Sequence, residues 1–551
     1  MNRSKGRAGL GLRLRPGVQA VALRPARNPK LNPNPAPFPS GSAAAIAAFG
    51  CLLLIVSLAH NAQAQLATNG IPTLAALRSN LTARVEHPRF AAAQLGVKVV
   101  SLDTGRTLFE HNSGKLLKPA SNAKLYTGAL ALDRLGPQFR IRTSCYAAAR
   151  PDATGTLAGD LTVFGRGDFS MAARFNGGDY AKSLEPLVEA LAAAGVKRIT
   201  GDLVGEESFF RGPPYGSAWT WDDLNYYYGA EVSALTHEDN VVDLGFKPAP
   251  TPGQPVAFTT RPATQFLQFI NRTTTVTNGG RRSLELYRPL AQSVVYLRGS
   301  LPADDAGWTD AMTVPRPALW FVTQLRDALA RRGITVAGQL RTRDWLAAEA
   351  APVDYAKQVE IAFTESRPMS ELVTQMMKPS QNLYAQLLLL QVGARTHKPG
   401  QTTEEAGLAE MQKFLAAAGV KRGSVLLEEG SGLSRGCLLT PDATIQLLRH
   451  MDQHPAAAAY RASLPIAGVD GTLKARFGGT PAVRTVLAKT GSLRYVSSLS
   501  GHVTTMAKER LVFAIMLNNY SPAGADGSGR AEVDALATLL ARLTQPSSQP
   551  E

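Results

Sequence analysis

Three short polar runs carry side chains suited to acyl transfer. Ser121-Asn-Ala-Lys124 places a hydroxyl and an amine at i and i+3, which a helix brings to one face, a turn apart. A buried Lys gives up its proton readily and can then serve as base to the Ser, while the positive helix end favours an alkoxide. Ser380-Gln-Asn382 offers a hydroxyl and a carboxamide where a helical pattern begins, a place where such residues commonly do no more than cap. Lys489-Thr490-Gly491 follows the apolar run Val486-Leu-Ala488. A mid-strand Lys ordinarily sits at an edge or faces solvent, and the Gly after it lets a backbone or ligand approach closely. Each run has a bland reading by itself.

The surrounding patterns predict the elements that must bring them together. Leu95–Leu102, the turn Asp103-Thr-Gly105 and Thr107–Glu110 read as a hairpin. Ser121 opens a helix with apolar Leu125, Ala129, Leu132 and Leu135, closed by Gly136-Pro137. From 139 to 357 short strand-like runs alternate with loops rich in Gly, Pro and Arg, and two segments, Leu184–Leu203 and Ala318–Leu340, share a helix–Gly–strand–Gly plan. The octapeptide Leu-Ala-Ala-Ala-Gly-Val-Lys-Arg at 191–198 recurs at 415–422, with its Gly where a helix would stop. Helical patterns return in Ser370–Met377, Leu383–Val392 and Ala531–Leu543. Val486–Leu499 and Leu511–Leu517 read as two strands of one antiparallel sheet.

Composition narrows the function classes. The chain has 551 residues, 44% apolar and 19% charged, with 3 Cys, so a large core is available and a disulfide scaffold or a wholly disordered chain is excluded. The +16 net charge invites nucleic acid, but residues 1–40 hold eight basic side chains and no acid. An apolar run, Ala43–Ala59, and Ala62-Gln-Ala64 follow, the order of a secretory signal peptide, and a short apolar run makes a membrane anchor the weaker alternative. Without 1–64 the charge falls to +8 on a mixed surface; nucleic acid is not an expected partner, and membrane association is peripheral at most. His237-Glu238 lacks a second His at ligand spacing and the eight His are scattered, so neither a metal nor another cofactor is expected. Cys145 and Cys437 remain in an oxidising setting, paired or as two buried thiols.

Taken in order, S-x-x-K, S-x-N and K-T-G form the triple of penicillin-binding proteins and serine β-lactamases. The chain resembles that superfamily, and in particular the D-Ala-D-Ala carboxypeptidases of the penicillin-binding protein 4 type. Further matches are Lys118-Pro-Ala-Ser-Asn-Ala-Lys124, Trp221-Asp-Asp-Leu224 with Tyr228-Gly-Ala230, Gly430-Ser-Gly-Leu-Ser-Arg435, Gly468-Val-Asp-Gly-Thr-Leu473 and Lys489-Thr-Gly-Ser-Leu493, spanning about 75 to 543. The resemblance implies an α/β (α+β) transpeptidase-like fold, an antiparallel sheet flanked by helices. It also implies a large non-catalytic β/α insertion between Ser121 and Ser380, 259 residues apart. The expected division is a leader at 1–64, a catalytic domain at 65–138 and 358–545, an insertion at 139–357 and a tail at 546–551.

By the same resemblance Ser121 is the nucleophile and Lys124 its base, Ser380 relays a proton to the leaving group, and Asn382 holds Lys124 and the substrate. Lys489 and Thr490 bind the terminal carboxylate, Gly491 and Ser492 continue that edge, and the N–H groups of Ser121 and Ser492 take the oxyanion. Asp223 and Tyr228 are expected at the amino end of a diamino acid, Arg435 at its carboxylate, and Arg494 stands where a neutral residue is expected. Glu429 replaces an expected Asp. Expected partners are periplasmic peptidoglycan peptides ending in D-Ala-D-Ala, with β-lactams as covalent inhibitors; endopeptidase activity and a homodimer are compatible. The rival readings are a catalytically silent peptidoglycan-binding protein and, with no E-x-x-L-N after Ser380, less favourably a β-lactamase.

Overall fold

A computed structural model describes residues 70–522 and 527–549; the leader and its cleavage pattern lie outside them. Its framework is a five-stranded antiparallel sheet, in the order Val486–Leu493, Val496–Thr504, Arg510–Asn518, Gln94–Ser101, Thr107–His111. The last two strands are the expected hairpin. The expected single strand Val486–Leu499 is instead a hairpin of two, turning at Arg494-Tyr495 with Tyr495 at φ 63°. Neither residue is a usual marker of such a turn, so the sequence reads straight through it.

Strand alternation explains why Leu511-Val-Phe-Ala-Ile-Met-Leu517 is apolar without a break. Leu511, Phe513, Ile515 and Leu517 pack on one face, against the helices Leu74–Val85 and Gly529–Ala541. Val512, Ala514 and Met516 pack on the other, against Ala123–Leu135, Met369–Met377, Asn382–Gly393 and Pro441–Asp452. A sheet covered on both sides needs apolar residues at both phases of its period of two. Ala123–Leu135 is the central helix, buried from Ala123 through Leu132 and closed by Gly136 at φ 81°. Asn382–Gly393 lies beside it with every residue buried.

The five-stranded sheet of the inserted region runs Leu340–Arg343, Leu203–Glu206, Leu161–Phe164, Arg142–Ala147, Val359–Glu365, beside three smaller sheets of three strands each. Its last strand lies beyond the boundary at 357, because Val359–Glu365 pairs antiparallel with Arg142–Ala147. The two helix–Gly–strand–Gly segments stack in register, Arg198 beside Thr335 and Leu203 beside Leu340, and a third layer, Thr156-Leu157 with Leu161–Phe164, pairs with the first of them. The repeated octapeptide ends two helices in one way. Val196 N donates to Leu191 O and Val420 N to Leu415 O, around Gly195 and Gly419 at φ 85° and 73°, a 6→1 closure that a left-handed Gly permits. Cys145 and Cys437 are both buried and unpaired. No helix among the described residues is long and apolar enough to cross a membrane.

Candidate active site

Ser121 sits in a tight turn, Ala120–Asn122, at the entrance to the central helix, with Ala120 in the left-handed region at φ 48°. Such a conformation in a non-glycine costs energy and persists only where its surroundings hold it. Here the sheet does so. Asn518 Oδ1 accepts from Lys118 N at 2.7 Å and its Nδ2 donates to Lys118 O at 3.0 Å. Ser498 Oγ donates to Pro119 O at 2.6 Å, and Asn122 Nδ2 to Ser500 Oγ at 3.2 Å. A Cβ on Gly491 would overlap Ser498 Oγ and Pro119 O, and one on Gly432 would overlap Ala120 O. Glycine at both positions lets two backbones close on the turn.

Lys124 is fully buried. Its Nζ lies 2.9 Å from Ser121 Oγ and donates to Asn382 Oδ1 at 2.6 Å and to Ser431 O at 2.9 Å. Burial pushes its pKa down to about 7, against the opposing pull of the Glu429 charge, so the neutral amine is accessible at neutral pH. The fully buried Glu429 carboxylate accepts from the backbone N–H of Ser431 at 2.6 Å, Gly432 at 2.5 Å and Ser434 at 3.3 Å. It thereby shapes the loop that presents Ser431 O; the extra methylene relative to Asp is accommodated.

The other two motifs close the opposite wall. Asn382 Nδ2 donates to Tyr228 O at 2.9 Å, which orients its amide oxygen toward Lys124. Ser380, at φ 67°, accepts from Lys489 Nζ at 2.7 Å, and that Nζ also donates to Thr490 O at 2.9 Å. Lys489 is buried, and its pKa is held well below the usual lysine range by burial and then by the charges of Lys124 and Arg476. Thr490 Oγ1 donates to Thr472 Oγ1 at 2.8 Å, and Ser492 lies on the exposed end of the same strand. The Gln381 side chain turns away from the site, accepting from Leu383 N and donating to Asp239 at 3.3 Å.

Of the four residues expected to read a peptide stem, Asp223 is partly committed within its own loop. Its Oδ2 accepts from Thr220 N at 3.1 Å and Thr220 Oγ1 at 2.6 Å and faces Arg435 at 3.9 Å. Tyr228 is half-buried and supplies its carbonyl to Asn382. Arg435 and Arg494 line one cleft of about 260 Å³, with Lys118, Tyr495 and Asn519. His237 and Glu238 are engaged in the fold: Nδ1 lies 3.1 Å from Met171 O, and the carboxylate accepts from Ala173 N at 3.0 Å. Sequence reasoning missed Asn518 and Ser498, the backbone oxygens of Pro119, Tyr228 and Ser431, and Asp239, which accepts from Gln381, Tyr384 and Arg174. Asp239 lies in three successive left-handed residues, Glu238, Asp239 and Asn240, a strap with no signal short of the contacts themselves.

Comparison with known proteins decides the family. The D-Ala-D-Ala carboxypeptidase 3 (S13) family matches residues 77–543. The chain belongs to this family. This S13 member is 34% identical to a D-alanyl-D-alanine carboxypeptidase of Actinomadura sp. (strain R39), over 85% of each chain. It is 25% identical to the D-alanyl-D-alanine carboxypeptidase DacB of Haemophilus influenzae, over 82% of this chain and 90% of that one. The crystal structure of penicillin binding protein 4 (dacB) from Haemophilus influenzae shares its fold, with a TM-score of 0.70 at 24% identity over 84% of this chain and 97% of that one. The expected transpeptidase-like fold and serine carboxypeptidase class are therefore met in this S13 member.

Proposed function

We propose that the chain hydrolyses the terminal D-Ala-D-Ala bond of peptidoglycan stem peptides, and D-alanyl cross-links, through an acyl-enzyme on Ser121. The observation that carries this reading is the buried Lys124 Nζ, 2.9 Å from Ser121 Oγ and oriented by Asn382 and Ser431. Neutral Lys124 takes the hydroxyl proton as Ser121 Oγ bonds to the carbonyl carbon of the penultimate D-Ala. The N–H groups of Ser121 and Ser492 stabilise the oxyanion, each donor worth about 3 kcal/mol in the transition state. As the C–N bond breaks, the proton held by Lys124 passes by way of Ser380 Oγ, itself fixed by Lys489 Nζ at 2.7 Å, to the amine of the departing D-Ala, and Lys124 is neutral again. Lys489 and Thr490 hold the terminal carboxylate. Water then gives a proton to Lys124 as its oxygen bonds to the acyl carbon, and Lys124 returns that proton to Ser121 Oγ as the ester bond breaks.

The stem's diamino residue is read at the mouth. Arg435 and Arg494 in their shared cleft take its carboxylate, while Asp223 and Tyr228 form the wall for its amine. β-Lactams, which imitate D-Ala-D-Ala, acylate the same Ser121. The leader directs the chain to the periplasm, and the catalytic domain consists of 65–138 and the segment up to 545 that follows Val359–Glu365, the last strand of the insertion.

Intact mass with benzylpenicillin, beside Ser121→Ala, tests the reading. A persistent single adduct on the wild type and none on the variant is expected. No adduct with penicillin left intact would sink it in favour of a silent binder; no adduct with penicillin hydrolysed would indicate a β-lactamase.

A further inference from the structure

Large apolar side chains seldom stand in water together without a reason. Among the described residues six large aromatics are exposed, and four of them, Trp221, Tyr226, Tyr227 and Tyr287, come from two neighbouring stretches of the inserted region. Trp221 is 70% exposed, more than any core-forming role explains. The stretches are tied together: Arg288 N donates to Asn225 Oδ1 at 3.3 Å, and the buried Arg288 side chain donates to Thr313 Oγ1, which donates to Leu224 O. Along Glu285–Tyr287 the exposed residues are Glu285 and Tyr287, so both project from one side of the strand. Burial and then the charges of Asp310 and Glu285 push the Tyr226 hydroxyl up.

The three tyrosine rings are also held. Tyr226 stacks on Tyr228 at 5.4 Å and 8°, Tyr227 meets Tyr228 edge-on at 5.6 Å, and Tyr287 stacks on Tyr296 at 6.4 Å and 27°. A ring stacked on one face offers its other face to a ligand, already ordered. The strip is continuous with the reaction groove, because Tyr228 O accepts from Asn382 and Asp223 of the same loop faces Arg435.

We infer that this strip is a binding platform for the amino-sugar strand that carries the stem peptides. The ligand class follows from the chemistry of the surface. The axial C–H face of a pyranose carries partial positive charge and suits the negative face of an aromatic ring, and tyrosine hydroxyls at the rim bond to sugar hydroxyls and acetamides. Between residues 215 and 310 four aromatics are exposed against one large aliphatic, Leu290, and the glycan is favoured over a protein partner because the strip adjoins the groove that takes a glycan-borne peptide. The inference rests on the peptidase reading, since it requires that the peptide entering the groove be attached to glycan.

The test compares the wild type with Trp221→Ala/Tyr226→Ala/Tyr287→Ala on a free pentapeptide and on the same pentapeptide carried by an oligosaccharide. Free-peptide turnover is expected to stay within about twofold, while kcat/KM on the glycan-linked substrate falls about tenfold or more, through KM. Peptide-free glycan strands are expected to inhibit the wild type on the glycan-linked substrate and to lose that effect on the variant. Equal losses on both substrates, or none on either, would overturn the platform. The single variant Trp221→Ala, at a side chain exposed enough to leave folding untouched, should show the same selective loss in smaller measure. A wild type inactive on both substrates would instead refute the peptidase reading, and glycan retention by Ser121→Ala against the triple variant would still read the strip.

Discussion

The base of the reaction can be titrated. A lysine at its ordinary pKa of 10.5 is neutral in only about 3 molecules in 10,000 at pH 7; with the Lys124 pKa at about 7 the neutral fraction is about one half. That difference, about three orders of magnitude in competent base, corresponds to about 5 kcal/mol of desolvation borne by the fold. Acylation by benzylpenicillin, whose carboxylate stays ionised throughout, should therefore rise tenfold per pH unit below about 6 and level off above 7. The sign of a second perturbation is also set: the Glu429 charge raises the Lys124 pKa, so Glu429→Gln should move the acid limb to lower pH. Stopped-flow acylation between pH 5 and 9, with intact mass at each end point, reads both. A limb centred above pH 9 would mean that Lys124 is an ammonium at neutral pH, and would refute its role as base; an upward move in Glu429→Gln would refute the electrostatic account.

Gly491→Ala should lower the acylation rate by about a hundredfold with the fold retained by circular dichroism, because the new methyl must displace the strand from the Pro119–Ala120 turn by about 1 Å. Asp239→Ala removes the acceptor shared by Gln381, Tyr384 and Arg174; urea unfolding should show a loss of about 3 kcal/mol. Arg494→Ser should raise KM several-fold for peptides ending in a free side-chain carboxylate, leave kcat nearly unchanged and weaken the dependence of KM on salt. An unchanged KM would take Arg494 out of the cleft's work.

The parts legible from sequence were those that side-chain type and period express. Ser121-x-x-Lys124 announced a helix face, Gly136-Pro137 announced its end, and the Leu511–Leu517 run announced a strand of an antiparallel sheet. The hairpin at Arg494-Tyr495 was not legible, since a two-residue turn built from ordinary side chains leaves the apolar alternation intact across it. Two of the three stacked layers in the insertion could be seen because each begins with a helix closed by Gly; the first, at 156–164, has no such helix. Within the site the motifs named the side chains that meet, but not the oxygens of Pro119, Tyr228 and Ser431, for a backbone carbonyl looks alike at every position. Glu429 was visible as a departure; only its three N–H partners showed it to be the post on which the Ser431 loop is hung.

The chain order of the central sheet has a consequence for timing. Val97 lies opposite Ile515, so the strand before Ser121 is completed by one more than 400 residues later. Closing so long a loop costs about 3 kcal/mol more than closing one of ten residues, and none of that cost is recovered until the distant strand exists. Asn518, which grips the backbone of Lys118 on both sides, belongs to that same distant strand. A nascent chain that already displays Ser121 and Lys124 thus has its nucleophile without the clamp that aims it. The site is therefore complete only once the distant strands have joined the sheet, a delay written into the chain order.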